Sequence, residues 1–336
     1  MIATPLVLDE LRKDPARVLF TTPGASLIDL DDGVLCLEFH SKGNTLDGDT
    51  IDVAEHAFAL IPGRYLGLVV GNQGKHFSYG ANLQWLLSLL ERIGDDRATF
   101  RTHAKRFQRV TTGVRTAPFP VVAAPFNRTI GGALELCLYA DRICAHTDLS
   151  ARLPEVAVGI LPDLGGTSEL YRRCIVAAGP GREATGLQRA FETIVFMKEG
   201  RGIGGARDLG FLSERDGVTT DLAHLIDDAK AQVRELAPGY LAPPHHREIV
   251  VLGDDGYAAL DRAIGMAVFA RMASSYDAQI ARAVARIMTG GPGPARTLSH
   301  EELLDLETAY FETLIFEPKT RERMEHMLAT GEPLRN

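Results

Sequence analysis

Three apolar segments in the first half of the chain each give way to a polar or glycine-punctuated loop and then to a helical pattern. This ordering constrains the fold more than any other feature. "SLIDLDDGVLCLEF" (26–39) reads as two strands joined at Asp32-Gly33, a hairpin turn signal, and "DTIDVAEHAFALI" (49–61) after it has helical periodicity, with Asp49 and Thr50 as cap candidates. "LGLVV" (66–70) is a short β-branched run of the kind buried inside a sheet; "GNQGKHFSYG" and the helical "ANLQWLLSLLERI" follow it. "PFPVVAAP" (118–125) repeats the pattern, with its prolines outside the strand core, and leads into "GGALELCLYADRIC" (131–144). Strand alternating with helix implies an α/β fold with crossover connections.

The two ends read differently. Residues 1–22 are a polar lead-in with a short helix. From about 216 the pattern is mostly helical: "DLAHLIDDAKAQVRELA", a proline-broken connection, "DGYAALDRAIGMAVFARMASSYDAQIARAVARIM", a glycine-rich loop ending at the cap candidate Ser299, and two closing helices, "EELLDLETAYFETLIF" and "PKTRERMEHMLATG". The expected organisation is a lead-in (1–22), an α/β core (23–215) and a helical C-terminal region (216–336) with an insertion at about 216–290. No internal repeat or low-complexity tract interrupts it.

Composition narrows the function. With 45% hydrophobic residues the chain can bury a sizeable core, and a formal net charge of -8 argues against a nucleic-acid partner, whose affinity rests on neutralising phosphates. Cys36, Cys137, Cys144 and Cys174 form no CxxC pair and sit among apolar residues, as reduced core cysteines do. The first twenty residues mix acids and bases where a signal peptide needs an apolar run, and no stretch reaches the ~18 apolar residues of a membrane helix. A cytoplasmic protein with no membrane partner is expected.

Chemistry points to two loop-to-helix turns, "YGAN" (79–82) and "IGGAL" (130–134). The first N–H groups of a helix lack internal partners and lie at its positive end, and small residues let a ligand oxygen approach them. Two such turns meeting in space would form a hole for a developing oxyanion; tight helix–strand packing is the plain alternative. Glu135 follows the second turn among leucines, and Glu155 follows Pro154 at the start of "VAVGIL", at what reads as a strand edge. Two carboxylates flanking oxyanion donors can hold a water and move a proton, and apolar surroundings would bring their pKa values towards neutrality. Solvated surface glutamates are the alternative.

"GGALEL" followed by "LPEVAVGILPDLGGT" resembles the signature of the enoyl-CoA hydratase/isomerase (crotonase) superfamily, and "HFSYGANL" resembles its other oxyanion turn. The resemblance runs from about Leu27 to Leu170 and resumes in "LETAYFETLIFEPKTRERMEHMLATGEPL". It is narrowest towards the hydratase half of bacterial fused 3-hydroxyacyl-CoA dehydrogenases, through "GASLIDLDDGVLCLEFHSKGNTL", "GNQGKHFSYGANL" and "RMEHMLATGEPLRN". The Rossmann half of those fusions is absent here: "GRGIGGARDLG" has the wrong spacing and context for a dinucleotide loop. The resemblance implies a crotonase-type ββα spiral with a helical C-terminal oligomerisation region. It implies oxyanion donors at the N–H groups of Ala81 and Gly132, catalytic carboxylates at Glu135 and Glu155, an acyl-CoA substrate, and no cofactor or metal, coenzyme A being part of the substrate.

Three positions depart from that pattern. Asn82 stands where the family often has aspartate. Asp163 stands where hydratases usually have glycine and where dienoyl-CoA isomerases carry a catalytic aspartate; capping of the helix that follows is its other reading. "ATGEP" lacks the basic residues many relatives place near CoA. Elsewhere, "RATFRTHAKRFQRV" reads as a solvated basic helix face, Trp85 with its leucines as core, and His245-His246 lack partners at metal-ligand spacing. The expected activity is hydration of 2-enoyl-CoA in fatty acid β-oxidation. The alternatives are an enoyl- or dienoyl-CoA isomerase using Glu155 and Asp163, and a non-catalytic acyl-CoA-binding subunit docking a separate dehydrogenase. A homo-trimer or hexamer built through the last helices is expected.

Overall fold

A computed structural model describes residues 4–243 and 248–336; His245 and His246 lie outside the described residues. The elements begin with α1 (Leu8–Leu11), β1 (Val18–Thr21), β2 (Ala25–Asp29), β3 (Val34–Phe39), α2 (Gly48–Leu60), β4 (Gly67–Gly71), α3 (Leu83–Ile93) and α4 (Arg97–Thr116). They continue with β5 (Val121–Ala123), β6 (Arg128–Ile130), α5 (Gly132–Tyr139), β7 (Arg142–His146), β8 (Ser150–Arg152), α6 (Gly166–Ala178), α7 (Glu183–Val195), β9 (Gly200–Arg201) and α8 (Gly202–Asp208). The last are β10 (Gly217–Thr219), α9 (Leu225–Leu236), β11 (Glu248–Val251), α10 (Gly253–Phe269), α11 (Ser275–Met288), β12 (Arg296–Ser299), α12 (His300–Ile315) and α13 (Pro318–Thr330).

The described residues divide into two compact units that interleave along the chain, unlike the consecutive regions read from the sequence. One takes residues 1–82, 109–151 and 199–245; the other takes 83–108, 152–198 and 246–336. The first is built on a seven-stranded sheet in the order β1-β2-β3-β4-β5-β7-β10. β2 and β3 form the expected antiparallel hairpin, turning through Asp31, Asp32 and Gly33, all at positive φ, while β3, β4, β5 and β7 run parallel. Leu35, Leu37, Leu68, Val69, Val121 and Val122 are fully buried, as β-branched and leucine runs in a covered parallel sheet must be.

Local details depart from the sequence reading. The lead-in joins the sheet, because β1 pairs with β2. α2 is capped by Asp47, whose carboxylate accepts the Asp49 N–H, and not by Asp49 or Thr50. α9 buries Leu225, Ile226, Ala229 and Val233 and lies against β4, β5 and β7, so this stretch of the supposed insertion belongs to the sheet's own core. The long helical pattern after Gly253 breaks into α10 and α11 at Arg271, which takes positive φ, and α11 restarts on a Ser274–Asp277 capping box.

In the second unit α6 pairs with α7, and α10 with α11. Ser299 caps α12 in a capping box with Glu302, as expected. α12 buries Leu303, Leu304, Phe311, Leu314 and Ile315, and α13 buries Met324. The apolar stripe of α12 is thus consumed inside the chain, whereas α13 leaves Leu328 exposed. All four cysteines are buried, and none forms a disulfide among the described residues.

Candidate active site

Ala81, Gly132 and Glu135 fall in the first unit, and Glu155 and Asp163 in the second. In the first unit the two glycine turns are tied edge to edge. Ser78 and Thr129 bridge in parallel; the Ser78 N–H donates to the Arg128 carbonyl (3.0 Å) and the Ile130 N–H to the Ser78 carbonyl (3.1 Å). The strand path therefore delivers Gly80 to Gly131. A methyl group on Gly80 would lie 2.7 Å from the Ile130 carbonyl oxygen and 3.3 Å from the Gly132 nitrogen, and both Gly80 and Gly131 take positive φ. Only glycine satisfies that approach and that dihedral together.

Ala81 is exposed and bridges to Leu46, whose N–H donates to the Gly80 carbonyl (2.8 Å). Asn82, the departure noted above, donates its amide to Asp47 (2.9 Å), so it helps hold the same turn. α5 begins at Gly132 and buries all eight of its residues. Glu135 stands in its first turn, 1% exposed, its N–H donating to the Gly131 carbonyl.

Asn72 escaped the sequence reading. It is buried; its Oδ1 accepts from the Gly74 N–H and the Asn44 amide, each at 3.0 Å, and its own amide donates to the Phe77 carbonyl (2.7 Å). It staples the loop that presents Gly80. The signal available was an asparagine between two glycines, a residue that bonds its own loop backbone. On that loop, burial, then Lys75 and Arg128, hold the His76 imidazole below its usual pKa, so it is neutral at pH 7.

In the second unit Glu155 opens a 3-10 turn, Glu155–Val158, and not a strand edge. Glu155 is 8% exposed and Asp163 9%. Glu307 of α12, fully buried, helps to cap α6: it accepts from the Gly165 N–H (3.0 Å), the Ser168 N–H (2.6 Å) and the Ser168 hydroxyl. The Asp163 carbonyl is held by the Gln108 amide (2.8 Å). The basic face of α4 pairs with acids on α12, Arg101 with Glu312 (2.7 Å) and Lys105 with Asp305 (2.5 Å). Among the described residues no group of three or more His, Cys, Asp or Glu could hold a metal, and no helix is long and apolar enough to cross a membrane.

Residues 30–178 match the enoyl-CoA hydratase/isomerase family model, a span that contains the glycine turns and all three acids. That span resembles an enoyl-CoA hydratase/isomerase domain. It is 37% identical over 325 residues to a protein of Bacillus subtilis named probable 3-hydroxyacyl-CoA dehydrogenase, covering 96% of this chain and 41% of that protein. A probable enoyl-CoA hydratase from the same organism is 30% identical over 172 residues, 51% of this chain and 58% of the relative. The chain thus spans about two fifths of the first relative's length. A crystal structure of enoyl-CoA hydratase from Bacillus halodurans superimposes with a TM-score of 0.59 at 17% identity, over 90% of this chain and 98% of that one; this shows the crotonase fold.

Proposed function

We propose that the chain hydrates 2-enoyl-CoA thioesters of fatty acid β-oxidation. The observation that carries the proposal is the Gly80–Gly131 junction, which holds the Ala81 and Gly132 turns side by side with buried Glu135 on the following helical turn. In this reading the N–H groups of Ala81 and Gly132 donate to the thioester oxygen. Fixed donors act most where charge grows, and hydration builds enolate charge on that oxygen. Glu135 and Glu155 hold the water. Its oxygen bonds to C3, a carboxylate takes its proton, and Glu155 delivers a proton to C2. No metal, nicotinamide or other cofactor enters. We also propose a cytoplasmic enzyme that assembles as a homo-trimer or hexamer and hands its 3-hydroxyacyl product to a dehydrogenase, the activity in the name of the longer relative.

A second reading rests on Asp163, a buried acid in the same unit as Glu155 on a loop pinned by Gln108: proton transfer between two acids would move a double bond without adding water. Ultraviolet absorbance of crotonyl-CoA separates the readings. Loss of the conjugated band means hydration, a new conjugated band from a 3-enoyl- or 3,5-dienoyl-CoA means isomerisation, and no change on any of them means a binding subunit. Glu155→Gln is expected to lower hydration by ~10²–10⁴-fold with acyl-CoA binding retained. Near-normal turnover in that variant would sink the assignment.

A further inference from the structure

The proposed mechanism leaves unused one fully buried charge, Arg323 of α13, 1% exposed. Its guanidinium donates to the Val156 carbonyl (3.0 Å) and the Asn336 side-chain oxygen (2.9 Å), pairs with Asp277 of α11 (2.8 Å) and lies over the Tyr276 ring (5.0 Å). Val156 is the residue after Glu155. One helical turn back, the Thr320 hydroxyl donates to the Gly159 carbonyl (2.7 Å) and bonds the Tyr276 hydroxyl. Gly159 closes the same turn at φ 87°, and a methyl group there would lie 2.6 Å from the Thr320 oxygen. α13 therefore grips the Glu155 turn at both ends by its carbonyls.

The turn also borders open space. The second unit contains a cavity of about 780 Å³, and Val156 and Ala157 form part of its wall together with Leu187, Phe191 and the gripping residues Arg323 and Asp277. A turn bordered by empty space lacks the packing that would otherwise fix it. Nor does stability alone explain a buried arginine–aspartate pair, because apolar residues of similar volume often do as well or better. For the hydration proposed above, we infer that Arg323, anchored by Asp277 and seconded by Thr320, is the positioning residue that sets where the Glu155 carboxylate points.

The test is the double variant Arg323→Met/Asp277→Leu, which removes the pair without leaving a lone charge. A merely structural pair predicts an altered melting temperature and unchanged turnover. Positioning predicts a melting temperature close to wild type, kcat on crotonyl-CoA lower by about 10–100-fold, the scale of an ~1 Å misplacement, and KM within about threefold. Arg323→Lys, keeping charge and one donor, should recover part of kcat. Should the double variant fail to fold, Thr320→Val loosens the other grip and should lower kcat in the same direction. Hydrogen exchange at the Ala157, Gly159 and Ile160 amides, which close the turn's own hydrogen bonds, gives a readout free of catalysis; it should quicken about tenfold. A folded double variant with kcat within twofold of wild type, or with unchanged exchange at those amides, overturns the inference. Wild-type protein that hydrates no enoyl-CoA defeats the proposed function instead, and the exchange comparison still decides the grip.

Discussion

Glu38 should make this protein less stable as the pH rises. It sits near the end of β3, paired in register with Ser26 and Gly71, and is buried at 4% exposure. Its described charge partner is Arg12, 3.3 Å away. Burial pushes the carboxyl up, Arg12 pulls it down, Asp9 pushes it up again, and the result is about 7 against an ordinary 4.5. The folded state thus prefers the protonated acid. Below about pH 4.5 both folded and unfolded chains carry the proton and there is no penalty. Between 4.5 and about 7 the unfolded chain ionises first, so stability is lost across that window and stays lost above it. At about 1.4 kcal/mol per pH unit the loss approaches ~3 kcal/mol.

Glu38→Gln keeps the shape and removes the ionisation. Thermal unfolding of both proteins by circular dichroism at pH 4 and pH 8 isolates the effect, because every other titration cancels in the difference. The two should melt together at pH 4. At pH 8 the Gln variant should melt roughly 6 °C or more higher, at roughly 2–4 °C per kcal/mol for a unit of this size. Equal differences at both pH values, or a wild type more stable than the variant at pH 8, would refute the reasoning and show that the Arg12 pair outweighs burial.

Gly80→Ala should cost ~1–3 kcal/mol of stability through its positive φ and the clash with the Ile130 carbonyl, and should lower turnover further by spreading the two turns; normal activity in a folded Gly80→Ala protein would detach the junction from catalysis. Asp163→Asn should leave the melting temperature close to wild type, since Glu307 also holds the first N–H groups of α6 and Asn caps about as well as Asp, while 3,5-dienoyl-CoA conversion collapses and hydration survives. If wild type never converts the dienoyl substrate, the isomerase reading falls. Light scattering at micromolar concentration should give a trimer or hexamer, and a monomer would count against assembly.

The sheet was legible because its strands advertise themselves. "LGLVV" and "VVAAP" are too short and too β-branched for helices, and the glycines after them mark the turns that became the Gly80–Gly131 junction. What stayed hidden depends on distant partners. β10 is three residues long, and only its place beside β7 makes it a strand. Nothing local distinguishes α9 from a surface helix until Ile226 and Val233 meet the sheet. Glu307 was half visible: Leu303, Leu304, Phe311 and Leu314 define a stripe that also contains position 307, so an acid sat where an apolar residue belonged. Its purpose appeared only when α6 brought its first N–H groups there. Arg323, on the stripe with Thr320 and Met324, carried the same kind of signal.

An acid in apolar company is therefore weak evidence of catalysis by itself, and one comparison within this chain sharpens it. Glu135 and Glu169 occupy equivalent places. Each is the fourth residue of a helix entered through a glycine at positive φ, Gly131 or Gly165, and each is 1% exposed. The sequences then diverge at the two positions that face a helical residue, three and four places on. After Glu169 these are Arg172 and Arg173, and both bind its carboxylate, at 2.6 and 3.0 Å. After Glu135 they are Leu138 and Tyr139, which carry no charge. The fold neutralises Glu169 with two arginines of its own helix and gives Glu135 no charged residue at the corresponding positions, a difference that separates a structural acid from a candidate proton carrier. Glu169→Gln should then lower thermal stability and spare kcat, because it strands two half-buried arginines. Glu135→Gln should instead lower kcat by ~10²–10⁴-fold in a folded protein. If Glu169→Gln abolishes hydration while Glu135→Gln spares it, local pairing does not separate structural from catalytic acids in this fold.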